Sequence, residues 1–205
     1  ATPALRAVDG LARSGLRLAG VALEPIERFD DRVDDVWRAA LADYPVIAQR
    51  DRAALAWLID ERPDRDRLRR YYLVRRGRAL GYAVLRSGSS GPEPTAVVVD
   101  YLAPVRWVAP LLVAAAVEAR RRGAVALSVK TRNERADRYL RGAGFLRRDH
   151  ASDSPISFMI HCTDDEVAAQ VRDPGQWFVS SADCDLEYAT TPGADAALTP
   201  PATTP

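Results

Sequence analysis

Asp100 is the ionisable side chain of this sequence placed where it would do chemistry. It stands inside Ala96–Leu102, AVVVDYL, an apolar run that reads as a strand covered on both faces. Burial raises a carboxylate's pKa toward the range a general base needs. The same aspartate suits an end-of-strand acceptor of backbone N–H groups, or a partner for a helix arginine. A second concentration is charge. Residues 120–148 hold nine arginines and Lys130 against Glu134 and Asp137, ten cations to two acids, a local +8. That fits either an anion site or a solvated helix face.

The remaining reactive types point nowhere. Cys162 and Cys184 are 22 positions apart without CxxC spacing, and His150 and His161 are the histidines of the chain. Neighbours His161 and Cys162 would point to opposite faces of a strand, so four zinc ligands do not converge and no metal site is expected. Neither thiol has a histidine relay to make it a nucleophile. Free thiols in a reducing cytosol fit best, which makes the expected localisation cytoplasmic.

These residues need a scaffold, and the composition supplies one. The chain has 205 residues, 47% hydrophobic and 28% charged, which excludes disordered and collagen-like classes. A formal net charge of +1 is too balanced for a protein whose whole surface grips nucleic acid or an anionic membrane. No apolar run reaches the ~20 residues that span a bilayer. The sequence starts at Ala1 and its one methionine is Met159, so it reads as a piece of a longer polypeptide or a processed start. Lys130 is the only lysine among 29 cations. Arginine abundance is therefore a background, as in a GC-rich genome, and weak functional evidence.

Periodicity places the elements. Residues 1–19 have helical spacing interrupted by Gly10 and Gly15, a linker helix. Val21–Phe29 alternates as a strand. Val33, Val36, Trp37, Ala40 and Leu41 form the stripe of an amphipathic helix stopped before Pro45. Arg52 to about Glu61 is a second helix. Tyr71–Arg75 and Ala79–Arg86 form a hairpin joined at Arg76-Gly77-Arg78. The AVVVDYL strand follows, then a helix from about Val108 to Arg122, a strand at Ala124–Lys130 and a helix from Asn133 to about Gly142. Phe145–Arg148 and Ile156–His161 suggest a closing antiparallel pair. A short helix at 164–172 and a strand at Trp177–Val179 end the domain. The tail, 189–205, has five Thr and four Pro and reads as disordered. The order predicts one α+β domain with a mixed central sheet and helices on both faces.

From Ala96 to Phe145 this order resembles the second half of the GNAT fold, the Gcn5-related N-acetyltransferases. Asn133-Glu-Arg-Ala136 is similar to the family's N-x-x-A segment, Gly144-Phe145 to its G-F ending, and Leu80-Gly81-Tyr82 to its usual glycine on the preceding hairpin. The resemblance covers roughly residues 21–180, within a GNAT-like domain at 20–188. WFVSSADCDLE at 177–187 and the stretch from Phe29 to Trp57 look like a bacterial subgroup with two such domains in tandem. That implies a second GNAT-like domain as a possible partner.

The resemblance implies transfer of an acetyl or other acyl group from acyl-CoA to a small-molecule or peptide amine, with acetyl-CoA as cofactor. Its phosphates would meet a helix N-terminus after AVVVDYL, at Leu102, Ala103, Val105, Arg106 and Trp107. Arg106 would grip a phosphate oxygen and Trp107 would stack on adenine, although a solvated arginine and a core tryptophan are the plainer readings. The turn, APVRWVAP, lacks the family's glycines, and Pro104 and Pro110 each remove a donor. Arg135 and Arg138 would take the 3′-phosphate. Asn133 would touch the ligand or simply cap its helix. Asp100 would be the base. The family's tyrosine acid falls at Leu140, with Tyr139 one residue and about 100° away. The loops at 44–52 and 149–155 would shape the acceptor pocket. The alternative is a GNAT-like domain without turnover that packs on another domain.

Overall fold

The computed structural model describes residues 12, 14–88, 94–131, 133–146 and 163–183. Most of the expected linker helix, residues 147–148 and 156–161 of the expected closing pair, both cysteines, both histidines and the tail at 189–205 lie outside the described residues; residues 14–19 are helical, and Phe145 and Leu146, expected to open the pair, are not in a strand.

A five-stranded mixed sheet carries the domain. Its strands are β1 (Val21–Ile26), β3 (Leu68–Arg75), β4 (Arg78–Gly88), β5 (Thr95–Leu102) and β6 (Ala126–Val129), in spatial order β1-β3-β4-β5-β6. All neighbours run antiparallel except β5 and β6, which are parallel. A parallel pair needs a crossover, and α3 (Val105–Arg121) supplies it. A separate two-stranded sheet pairs β2 (Val46–Ile47) with β7 (Trp177–Phe178). The other helices are α1 (Arg32–Ala40), α2 (Arg52–Leu55), α4 (Glu134–Gly142) and α5 (Asp165–Val171).

Among the described residues the expected elements from β1 to α4 form with three differences of physical interest. The helix read from Val108 begins at Val105, with Pro104 at its N-cap. Pro110 lies only one turn in, where it gives up a single bond to the Arg106 carbonyl. The helix read over Arg52–Glu61 turns α-helical only to Leu55, then widens into a π turn over Ala56–Asp60. That turn carries Asp60 inward, where its carboxylate accepts the Phe29 N–H at 3.0 Å and pairs with Arg70 at 2.6 Å. The strand at Ala126–Val129 is shorter than read and alternates exposed with half-buried.

Both alternating faces of β5 are covered, since Val98, Val99, Asp100, Tyr101 and Leu102 are all buried. On α1, Val33, Val36 and Ala40 form the buried stripe that the spacing requires, and α1 and α3 both pack on β4. Phe29 meets Tyr72 and Tyr82 edge to face at 6.0 and 5.0 Å. The hairpin turns on Arg76 and Gly77, both left-handed at φ 50° and 76°, the geometry that matches strand twist.

Two features shape the functional end. β5 pairs with β6 only from Thr95 to Val98, so Val99–Leu102 run on past the last β6 partner. Across the other edge the register shifts between Val84 and Leu85, leaving Val99 as an extra residue in β5. Such a bulge bends a strand and re-aims the side chains beyond it, here Asp100 and Tyr101. Gly81 lets this end close: a Cβ there would lie 2.6 Å from the Ala103 Cβ and 2.8 Å from the Leu102 carbonyl. Gly81→Ala should therefore cost about 1–3 kcal/mol of unfolding free energy in urea. Gly142→Ala, in open space near the end of α4, should be neutral or stabilising. Equal effects of the two would mean that the close approach at Gly81 is not the constraint.

Candidate functional site

The end of β5 gathers residues from four distant stretches of chain. Asp100 is fully buried, and its Oδ2 accepts the Tyr82 hydroxyl at 2.8 Å and the Arg50 Nε–H at 3.1 Å. Arg50, 1% exposed, also donates to the Ala48 carbonyl at 3.1 Å and to Asp183 Oδ1 at 2.5 Å. Asp183 in turn accepts the Ser180 N–H at 2.8 Å. Loop, hairpin, central strand and C-terminal segment thus meet at one guanidinium. A rigid five-donor fork suits this task better than a lysine would.

Burial pushes the Asp100 carboxyl above the usual carboxylate range, and the Arg50 charge opposes it. Asp100 Oδ1 has no donor in hydrogen-bonding geometry. Burial and the adjacent Asp100 push the Tyr82 phenol well up, which keeps Tyr82 a donor. Of the two readings of Asp100, partner to an arginine describes its contacts, although Arg50 lies in a loop and not on a helix.

The turn after β5 has its own occupant. The Val105 N–H, at the start of α3, donates to Asp43 Oδ2 at 2.9 Å. Asp43 Oδ1 lies 3.3 Å from Arg135 of α4. The Trp107 N–H is used by the Pro104 carbonyl at 2.7 Å. A carboxylate therefore already sits at this helix N-terminus, where a negative charge is favoured. Next to it, the Tyr44 hydroxyl donates to the Ala103 carbonyl at 2.9 Å. The Phe178 ring lies 4.9 Å from Tyr44 and 5.1 Å from Tyr101, edge to face with both. All three rings are buried, so the part of β5 beyond its β6 partner lies under aromatic cover.

The other residues singled out in the sequence take these places. Leu102, Ala103 and Val105 are buried; Arg106 is exposed and Trp107 is half-buried, with the Arg75 guanidinium 5.8 Å from its ring centroid. Asn133 is buried and caps α4, its Oδ1 accepting the Ala136 N–H at 2.9 Å. Arg138 is exposed. Leu140 is buried against the core while Tyr139 is 49% exposed, the divergence that one helical residue imposes. Asp100, Tyr139 and the Val105 amide therefore do not converge on one open space. Arg50, Asp43, Tyr44 and Phe178 are the residues missed by sequence reasoning. The signals were that Tyr44 and Arg50 fall in the loop read as an acceptor wall and that Phe178 falls in the WFVSSADCDLE stretch.

Among the described residues no three His, Cys, Asp or Glu side chains could hold a metal, and no helix is long and apolar enough to cross a membrane. No family model and no curated protein matches the chain. It is similar to three kinds of solved structure. One is an aminoglycoside acetyltransferase from an uncultured soil metagenomic sample in complex with sisomicin, at 11% identity and TM-score 0.47, covering 69% of this chain and 98% of that one. A protein from Thermus thermophilus gives 14% and 0.45 over 67% and 98%. A probable acetyltransferase gives 18% and 0.47 over 70% and 98%. At TM-scores below 0.5 this is a general likeness, and the chemistry of the site rests on the contacts above.

Those contacts make Arg50 testable. Arg50→Met leaves Asp100 buried without its cation and should cost about 3–5 kcal/mol. A carboxyl whose folded pKa lies above 3.8 binds its proton more tightly folded than unfolded, so its contribution to stability falls as pH rises through that window. Removing Arg50 extends the window upward. The deficit of Arg50→Met in urea unfolding should shrink between pH 8 and pH 5, and adding Asp100→Asn should recover part of it. A loss under ~1 kcal/mol that ignores pH would contradict the assigned role.

Proposed function

We propose that this chain has the frame of a GNAT-type acyltransferase with its acyl-carrier position filled by its own side chains, and that it serves as a structural or interaction partner of another domain. One observation carries this reading: the Val105 amide and the Arg135 guanidinium, two groups that would receive the carrier's phosphates, both face Asp43. A phosphate arriving there must displace a carboxylate that needs no translational entropy to stay in place. Tyr44 and Phe178 add steric closure over the end of β5. Asp100, tied to Arg50 and Tyr82 and fully buried, has no path to an incoming ammonium. Tyr139 is half exposed and does not join Asp100 at the end of β5.

The second reading is N-acyl transfer from acetyl-CoA or another acyl-CoA to a small-molecule or peptide amine. The parting of β5 from β6 after Val98, with the bulge at Val99, favours it. In this reading the chain's own residues would act by binding and orientation. Arg106 and Arg135 would hold phosphate oxygens, and backbone N–H groups of the unpaired β5 edge would face the thioester oxygen. The bound acyl-CoA would supply the activated acyl group. Asp43 and Phe178 would first have to withdraw.

Acetyl-CoA titration followed by thermal melting separates the two. A ligand at 100 times its Kd adds ~2.7 kcal/mol of stability, a shift of a few degrees for a chain this size. With millimolar acetyl-CoA we expect no shift in the wild type. A clear rise in Tm that Arg106→Ala and Arg135→Ala both reduce would replace the first reading with the second. Asp43→Ala frees the Val105 amide and Arg135; a shift gained only in that variant would identify Asp43 as the element that closes the site.

A further inference from the structure

A cavity of about 420 Å³ lies at the β3–β4 turn. Its walls come from α1, from the hairpin and from the start of α3. Four arginines, Arg75, Arg76, Arg78 and Arg106, line it together with Trp107 and Asp35. All four are exposed, and among the described residues no carboxylate pairs with any of them. The lining carboxylate, Asp35, is held by Arg38 one turn along α1. Six arginines elsewhere, Arg32, Arg50, Arg62, Arg70, Arg121 and Arg141, each hold a carboxylate within 3.1 Å; what sets the cavity apart is four unpaired ones around one concave space. Four guanidiniums without a counter-charge around one concave space repel one another. That repulsion is relieved by an anion.

The backbone at the mouth is also unusual. Arg76 occupies a left-handed conformation, φ 50°, at a turn position normally given to Asn, Asp or Gly. Any of these would make the turn with less strain, and none would present a guanidinium. Arg78 follows two residues later, and Arg106 faces the same cavity from the first turn of α3. Arg75 rests against Trp107, which limits its freedom before any ligand arrives.

We propose that this cavity binds a compact oligoanion, a small molecule bearing several phosphate or carboxylate charges, through Arg76, Arg78 and Arg106. The volume suits a small molecule, and guanidinium forks match the oxygens of either group in bidentate fashion. The cavity shares Arg106 with the phosphate position of the acyl-CoA reading, but Arg76 and Arg78 belong to it alone and Asp43, Arg135 and Phe178 are not among its lining residues, so variants at Arg76 and Asp43 tell the two apart.

Isothermal titration of the full chain at low ionic strength with tripolyphosphate, pyrophosphate and citrate tests it. At least one of these anions should bind, and the order of affinities tells a phosphate from a carboxylate ligand. Arg76→Ala, Arg78→Ala and Arg106→Ala should each raise Kd about tenfold, the scale of one charge-assisted bond. Arg172→Ala, an exposed arginine outside the cavity, should change Kd by less than about twofold. The double variant Arg76→Glu/Arg106→Glu should show no binding while keeping the wild-type melting temperature to within a few degrees. Absence of binding by all three anions overturns the proposal. So does an Arg172→Ala loss equal to that of the cavity variants, which would indicate diffuse charge. Asp43→Ala should leave Kd for tripolyphosphate unchanged; if it alters Kd as strongly as the cavity variants do, the anion sits at the Val105 amide and the proposal fails. Silence toward acetyl-CoA, by contrast, bears only on the carrier position.

Discussion

One buried cation decides how this end of the molecule is built. Arg50 is inaccessible to water, and a guanidinium in that position is tolerable only if carboxylates and carbonyls replace its hydration. Asp100 and Asp183 do so from opposite sides, one on the central strand and one in the C-terminal segment. Satisfying a single charge thereby fixes where residues 177–183 return against β5. Phe178, carried by the same segment, is then delivered onto Tyr44 and Tyr101. The charge network and the aromatic cover over the end of β5 are thus carried by one segment, which the β2–β7 pairing also holds.

The same network bears on what Asp100 can do. A general base must exchange protons with something that arrives, whereas Asp100 is shared between Arg50 and Tyr82 with no water-accessible surface. Its raised pKa comes from burial, the ordinary result for a carboxyl in an apolar interior, and burial alone cannot distinguish a catalytic group from a structural one. The contacts of Asp100 are those of a structural partner to Arg50 and Tyr82. Asp43 makes the complementary point at the surface: a carboxylate at the start of α3 satisfies a helix N-terminus without a ligand.

The local rules of sequence reached the elements but not the contacts between them. Apolar spacing located α1, the β3–β4 hairpin, β5 and α4 to within a few residues, because each of these signals is contained in the segment itself. Asn133 was legible as a cap for the same reason, since its acceptor reaches an amide three residues on. Tyr139 could be set apart from Leu140 by helical angle alone. By contrast, Arg50 lies 50 residues from Asp100 and 133 from Asp183, and no periodicity links them. In a chain with 29 cations, of which one is lysine, an arginine that organises the core looks like any other. The π turn at Ala56–Asp60 was hidden differently: its cause is the Phe29 amide and the Arg70 guanidinium that Asp60 must reach.

Arginine background also obscures function, and structure separates its uses by counter-charge. Where a guanidinium has a carboxylate, as Arg135 has Asp43, any incoming anion must compete with a partner that is covalently part of the chain. Where several lack one, as around Arg76 and Arg106, an anion gains from relieving their mutual repulsion as well as from its own bonds. The two places lie on either side of Pro104, at the start of one helix, so the dipole of α3 favours negative charge at both. Their difference is therefore in occupancy by the protein itself. A domain that fills the first with its own aspartate and leaves the second ringed by unmatched cations offers an incoming anion less competition at the hairpin than at the strand opening.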